Sequence, residues 1–197
     1  MIPLWKEVEY FKDYQKQLQR YFGRAKAREI VNEAVYIVSI GTNDFLENYF
    51  LFITGRFKQF SVAGFVDFLI GLAGDFLTEL YRLGARKMSF TGLSPMGCLP
   101  LERTANVMHA HNCIEEYNNV ARDFNAKLQA LIEELCATLP GLMLRYSPVY
   151  DGLIHIMQNP SSYSMLGLSI NLNYFLFFPL KFLLIEQCLL IFQELRM

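Results

Sequence analysis

The residues best suited to chemistry in this sequence are Gly41, Thr42, Asn43 and Asp44, which follow an apolar, β-branched run at residues 35–40. Such an uncharged run is typical of a strand that is buried on both faces of a parallel sheet. In open α/β sheets, ligands bind at the loop that leaves the carboxyl end of a strand. Asn43 would therefore present a neutral amide donor in a turn begun by Gly41. Such a donor stabilises an oxygen that gains negative charge during acyl transfer.

A purely structural role explains the same four residues. Glycine allows the chain to turn through positive φ, and Asn or Asp accepts hydrogen bonds from the first amides of a helix. Residues 41–44 therefore also fit a turn followed by a helix cap, which is the commoner arrangement. On these residues alone, both interpretations stay open.

Other side chains have the right types for catalysis or metal binding but lack the right surroundings. Ser94 has no Gly-x-Ser-x-Gly pattern around it, so we do not assign it as a nucleophile. His109, His111 and Cys113 alternate along the chain, but no second cluster supplies the remaining ligands that zinc needs. We therefore expect a loop that leads into a helix, with neither metal nor cofactor.

One acid and one histidine imitate a catalytic pair. Asp151 and His155 are four residues apart, a separation that predicts a surface pair on one helix face.

Composition limits the class of protein. The chain has 197 residues, of which 53% are hydrophobic and 19% charged, so composition excludes disorder and fits one domain or a large part of one. A net charge of −1 offers no field that would attract nucleic acid or an anionic membrane surface.

Helical and strand patterns alternate along the chain. Apolar spacing predicts helices at residues 3–22, 25–32, 62–83 and 114–139, and a further helix from Asn43 to about Phe52. Short apolar runs predict strands at residues 35–40, 87–91 and 142–146, the last at or near an edge. Ser61 and Gly84 would cap the helix at 62–83. This alternation predicts an α/β fold with a parallel sheet in three layers.

Three segments carry a family resemblance. Residues 37–50 (IVSIGTNDFLENYF), 85–100 (ARKMSFTGLSPMGCLP) and 113–128 (CIEEYNNVARDFNAKL) resemble successive blocks of the plant GDSL esterase/lipases, in the SGNH hydrolase superfamily. The similarity extends over about residues 5–163. It implies a flavodoxin-like fold and hydrolysis of acyl esters by a Ser–His–Asp arrangement.

The resemblance carries over one residue of the catalytic machinery, Asn43, as a donor of the oxyanion hole, with Gly41 shaping its turn. The family's Gly-Asp-Ser nucleophile block and its Asp-x-x-His pair do not occur in this sequence, where Gly74-Asp75-Phe76 is the nearest string. We therefore expect an incomplete, truncated domain over residues 1–163 that lacks the first strand and has no turnover alone. The alternative is a non-catalytic binding protein that uses the retained crevice or its apolar tail.

The four cysteines do not form a dense disulfide framework. Cys98 and Cys113 could close a single loop in an oxidising compartment, or both could remain free thiols. Relatives of this kind are generally secreted, yet the first residues here do not have the pattern of a signal peptide.

Residues 164–197 depart from the family pattern and are strongly apolar. The window at 174–192 contains Lys181, Glu186 and Gln187, with Pro179 inside it. Each charge at a membrane centre costs about 2.5–3.5 kcal/mol on insertion scales, so we expect a buried or self-associating segment rather than a membrane span.

Overall fold

A computed structural model describes residues 2–50 and 56–163, with the side chain of His109 excepted. The end of the helix predicted to reach Phe52, and the predictions for the apolar tail at 164–197, lie outside the described residues. Within those residues, no helix is both long and apolar enough to cross a membrane.

Three parallel strands form the sheet in the order β1-β2-β3: β1 (Val35–Val38), β2 (Lys87–Thr91) and β3 (Met143–Ser147). Among the described residues, five α-helices connect or flank them: α1 (Leu4–Glu33), α2 (Val62–Arg82), α3 (Pro100–Ala105), α4 (Glu115–Thr138) and α5 (Val149–Gln158). The predicted α/β class with a parallel sheet is confirmed, and within this part of the chain β3 lies at an edge of the sheet, in agreement with the prediction of an edge or near-edge strand. The sequence analysis missed the short helix α3.

Local signals fix the bounds of the long helices. Gly23 has φ 76° and ψ 164°, so it breaks α1 where the sequence predicts one helix to end and another to follow. The Ser61 hydroxyl accepts a hydrogen bond from the Gly64 amide at 3.1 Å, and Gly84 has φ 104° just beyond the end of α2. Both caps of α2 are therefore the predicted ones.

The two faces of the sheet differ in burial. Tyr36, Met88 and Leu144 are paired across the strands and buried on one face, and the Phe11 ring of α1 packs edge-on against Tyr36. On the opposite face, Val35 and Ile37 are 52% and 41% exposed. The prediction that the first strand is buried on both faces is therefore wrong within the described residues. β1 is an edge strand there, and no described helix covers its second face.

The connection after β2 joins the start of α4 through close backbone contact. The Ile114 amide donates to the Gly97 carbonyl at 2.9 Å. A Cβ placed on Gly97 would meet backbone atoms of Ile114, with its carbonyl carbon at 2.7 Å. Only glycine allows this approach without moving the backbone.

Replacing Gly97 by alanine should therefore destabilise the protein, whereas the same change at Gly71 should not. For Gly97→Ala we expect a loss of about 1–3 kcal/mol, typical of overpacking, because backbone must move. Gly71 is exposed in α2 and its Cβ would meet nothing within 4 Å. Gly71→Ala should stabilise by about 0.5–1 kcal/mol, since alanine loses less backbone entropy in a helix. Urea unfolding measures the free energy of unfolding of both variants. Equal changes in the two would contradict a requirement for glycine at position 97.

Candidate functional site

The candidate site begins with a sharp turn at the carboxyl end of β1. Gly41 has φ 113°, and a Cβ there would lie 2.9 Å from a methyl carbon of Leu93. The Gly41 carbonyl accepts from the Phe45 amide at 3.1 Å, and this bond leads the chain into a π-helical segment, Asp44–Phe50. The positive φ favours glycine at position 41, and a larger residue there would also have to displace the Leu93 side chain.

Asn43 follows this turn and is half-buried. It lines a cleft between the starts of α1 and α2. Among the described residues, none is hydrogen-bonded to the Asn43 side chain. Its amide can therefore donate to a group that enters the cleft.

The loop after β2 is held against the Gly41 turn by a buried amide on α4. Asn125 is 5% exposed. Its Oδ1 accepts from the Leu93 amide at 2.6 Å, and its Nδ2 donates to the Leu93 carbonyl at 2.9 Å. Because Leu93 packs on Gly41, the loops that leave β1 and β2 meet at one edge of the sheet, as expected for carboxyl ends of parallel strands.

A second buried amide holds the same loop further along. Asn118 Oδ1 accepts from the Gly97 amide at 3.0 Å, and its Nδ2 donates to Glu115 at 3.1 Å. Neither asparagine was predicted, because the range of this helix was inferred from the spacing of its apolar residues alone. The available signal was that Asn118 and Asn125 continue the helical spacing of the buried Ala121 and Leu128.

Cys98 and Cys113 are joined by a disulfide, with their Cα atoms 4.4 Å apart. The bond encloses α3 in a short loop. The Asn118 Nδ2 lies 3.4 Å from the Cys98 sulfur, so this covalent link and the amide contacts of α4 act on the same segment.

The cleft that contains Asn43 has a volume of about 820 Å³. Two contacts further along α1 hold it against α2. Lys12 and Glu79 form an ion pair at 3.0 Å, and the Gln15 side chain donates to the Leu83 carbonyl at 2.6 Å. Nearer the start of both helices the lining is mainly apolar, and includes Leu4, Trp5, Val8, Phe68, Leu69, Leu72 and Phe76. This volume is within the range of small-molecule sites, about 300–1,000 Å³.

Carboxylates outnumber cations in the lining. The described lining includes five carboxylates: Glu7, Glu9, Asp44, Asp75 and Glu79. Lys12 is the one cationic side chain among the described lining residues. Burial raises the pKa of the Glu7 carboxyl. The hydrogen bond from Lys12 is the largest cause that lowers the pKa of Glu79. The cleft therefore combines apolar walls with carboxylates, of which Glu9 is paired with Lys6 at 2.9 Å and Glu79 with Lys12 at 3.0 Å.

Comparison with known proteins identifies the family. A family model described as "GDSL-like Lipase/Acylhydrolase" matches residues 6–166. The chain belongs to this family. It is 52% identical to GDSL esterase/lipase At4g26790 of Arabidopsis thaliana over 163 residues, which are 83% of this chain and 46% of that protein. It is 50% identical to GDSL esterase/lipase At2g42990 over 165 residues, covering 84% of this chain and 47% of that relative. The chain thus spans about half the length of these relatives.

Within this GDSL-family chain, the other candidate residues do not assemble with Asn43. Ser94 is half-buried beside Leu93 and does not line the cleft that Asn43 lines. Asp75 lies inside α2, as its helical pattern predicts. The His155 ring lies 2.8 Å from the Tyr163 hydroxyl, so His155 pairs with Tyr163 and not with Asp151. The predicted Asp151–His155 surface pair is therefore not formed.

Two of the three alternating His and Cys residues, His111 and Cys113, have partners within the protein. Cys113 is in the disulfide, and the His111 ring Nδ1 donates to the Arg103 carbonyl at 3.0 Å. Of the described residues, no three His, Cys, Asp or Glu side chains are grouped so that they could hold a metal ion.

Removing the Asn125 amide should release the Leu93 loop. Asn125→Ala leaves the buried amide and carbonyl of Leu93 unpaired, and each such loss costs about 1–3 kcal/mol. We expect a total loss of about 2–6 kcal/mol in urea unfolding. Asn119→Ala is the matched control, because Asn119 is exposed on the same helix and bonds only Arg122 among the described residues. A similar loss of unfolding free energy in both variants would contradict the role of the Asn125–Leu93 hydrogen bonds.

Proposed function

We propose that this chain is part of a carboxylic ester hydrolase that acts on acyl esters, and that Asn43 is an oxyanion-hole donor of that enzyme. Membership of the GDSL family supports the reaction class. The observation that carries the residue assignment is the Asn43 amide, which lines an apolar cleft and bonds no other described residue.

Ester hydrolysis needs a donor placed where negative charge develops. As a nucleophile adds to the ester carbonyl, the carbonyl oxygen becomes an oxyanion, and a preoriented amide stabilises it. Gly41 forms the turn that carries Asn43. The Asn125–Leu93 hydrogen bonds support that turn because they hold Leu93 against Gly41. Such support matters because a donor displaced by about 1 Å loses much of its effect.

We further propose that this chain alone does not turn over esters. The sequence has neither the Gly-Asp-Ser string nor the Asp-x-x-His string that the family resemblance implies for nucleophile, acid and base. An oxyanion donor without an activated nucleophile leaves only binding and electrostatic stabilisation.

Treatment with a fluorophosphonate serine probe, followed by intact-mass analysis, tests this absence of turnover. The folded chain should stay unlabelled, because no serine here is activated by a base. The Arabidopsis relative At4g26790, treated in parallel, is the control for the reactivity of the probe. Stoichiometric labelling of this chain at Ser94, or at any other serine, would contradict the proposal.

The role of Asn43 can be tested in a hybrid enzyme. Residues 2–163 of this chain replace the matching segment of At4g26790, and the hybrid is first shown to hydrolyse a p-nitrophenyl acyl ester. Asn43→Ala should then lower kcat by about 10²–10³, the usual effect of losing one oxyanion donor. Asn119→Ala should leave kcat unchanged. Equal kcat values for the parent hybrid and Asn43→Ala would refute the assignment.

A second candidate is a non-catalytic binding protein. The open cleft of about 820 Å³ favours it, because a ligand can occupy that cleft without a nucleophile. Absence of probe labelling together with saturable ligand binding would support this function for the isolated chain.

The disulfide bears on where the protein works. A bond between Cys98 and Cys113 persists in oxidising compartments. We propose that the protein follows the secretory route, as expected for its family.

A further inference from the structure

Positive charge is concentrated in one stretch of α1. Of the 18 lysines and arginines and the 19 acidic residues of the chain, residues 14–28 contain five cations and no acid. The five cations are Lys16, Arg20, Arg24, Lys26 and Arg28. The Debye length is about 10 Å at 0.1 M salt, so a ligand at this stretch would experience the local charge more strongly than the net charge of −1.

Three of these cations are available to an external anion. Lys16 pairs with Asp13 at 2.8 Å, and Lys26 pairs with Glu29 at 2.7 Å. The other three are exposed and form no ion pair with any described residue: Arg20, Arg24 and Arg28. A guanidinium group presents several N–H donors in one plane and suits phosphate oxygens in particular.

Two exposed aromatic side chains lie among these arginines. Tyr21 is 81% exposed and Phe22 is 55% exposed. Gly23 interrupts the helix beside them, and a Cβ placed there would meet nothing within 4 Å, so this part of α1 borders open surface. Basic residues next to exposed aromatic ones are typical of segments that lie at a bilayer interface, where the rings enter the headgroup region.

We propose that this part of α1 binds the headgroup region of an anionic phospholipid bilayer. The surface concerned, here called the basic surface, consists of the exposed side chains of Arg20, Tyr21, Phe22, Arg24 and Arg28. Its arginines would bind lipid phosphates, and the Phe22 ring would leave water for the interface. A nucleic-acid duplex also carries phosphates but offers no apolar region to Phe22, so the aromatic residues favour a bilayer.

The basic surface is distant from the candidate site. Leu4 lines the cleft at the start of α1, and a rise of about 1.5 Å per residue places Tyr21 about 25 Å further along this helix. Buried Leu18 and Ala27 hold the opposite face of α1 on the protein. The proposal therefore goes beyond the proposed function and does not depend on it.

Co-sedimentation with vesicles tests this binding. The full chain, cleared of aggregates by centrifugation, is mixed with vesicles of phosphatidylcholine alone or of phosphatidylcholine and phosphatidylserine in equal amounts. Each cation at an anionic surface raises affinity about fivefold, so the phosphatidylserine vesicles should bind about a hundredfold more tightly. At about 1 M salt, where the Debye length falls to about 3 Å, this preference should disappear.

Matched variants separate the two kinds of contact. Arg24→Gln should weaken binding to phosphatidylserine vesicles about fivefold. Arg145→Gln makes the same change at an exposed arginine of β3, outside the basic surface, and should have no effect. Phe22→Gln should also weaken binding about fivefold, because the ring loses its contact with the interface. Leu101→Gln, at a side chain that is 67% exposed elsewhere, is its control.

Three results would overturn the proposal. The first is equal binding to both kinds of vesicle, and the second is binding that Arg24→Gln and Phe22→Gln leave unchanged. The third is tighter binding to a DNA duplex than to phosphatidylserine vesicles, which would assign the surface to nucleic acid. None of them bears on the ester hydrolase assignment, because sedimentation does not depend on Asn43 or on turnover. Far-UV circular dichroism of every variant confirms that the compared chains are folded.

Discussion

The geometry of the site depends on one buried amide. Asn125 satisfies both the amide and the carbonyl of Leu93, two groups that would otherwise be buried without partners. Unpaired buried polar groups are costly, so this pair of hydrogen bonds allows only one position for the Leu93 backbone. The Leu93 side chain then closes on Gly41, which tolerates no Cβ at that distance. α4 therefore holds the turn that presents Asn43 in place. Its Asn125 fixes Leu93, in the loop after β2, and Leu93 packs on Gly41.

Much of the fold follows from local signals that act over a few residues. Ser61 and Gly84 mark the ends of α2 through hydrogen bonding and positive φ, and these effects hold wherever the helix packs. The strand β2 coincides with the predicted residues 87–91 because it is central in the sheet and bounded by Gly84 and Gly92. The three blocks of family resemblance placed Asn43 in its loop. The sequence therefore predicted the three strands and the long helices in their order, but not the short helix α3.

Burial was harder to predict, because it depends on neighbours distant in sequence. The apolar composition of the first strand predicted burial on both faces, yet Val35 and Ile37 are exposed because no described helix covers their face of the sheet. Asn118 and Asn125 are polar and so do not contribute to an apolar pattern, yet both are buried because they bond backbone groups of the loop after β2. Hydrophobic periodicity cannot detect partners of this kind. A crevice at Asn43 was predicted, but its walls were not, since they belong to two helices far apart in sequence.

The site combines two kinds of interaction that differ in how strictly they fix position. Hydrogen bonds weaken steeply with distance and angle, so the two bonds from Asn125 to Leu93 restrict the position of the Gly41 turn. Apolar contact is non-directional and grows in proportion to covered area. A ligand carbonyl at Asn43 would thus have one favourable position, whereas an attached chain could extend along the walls by any length the cleft holds.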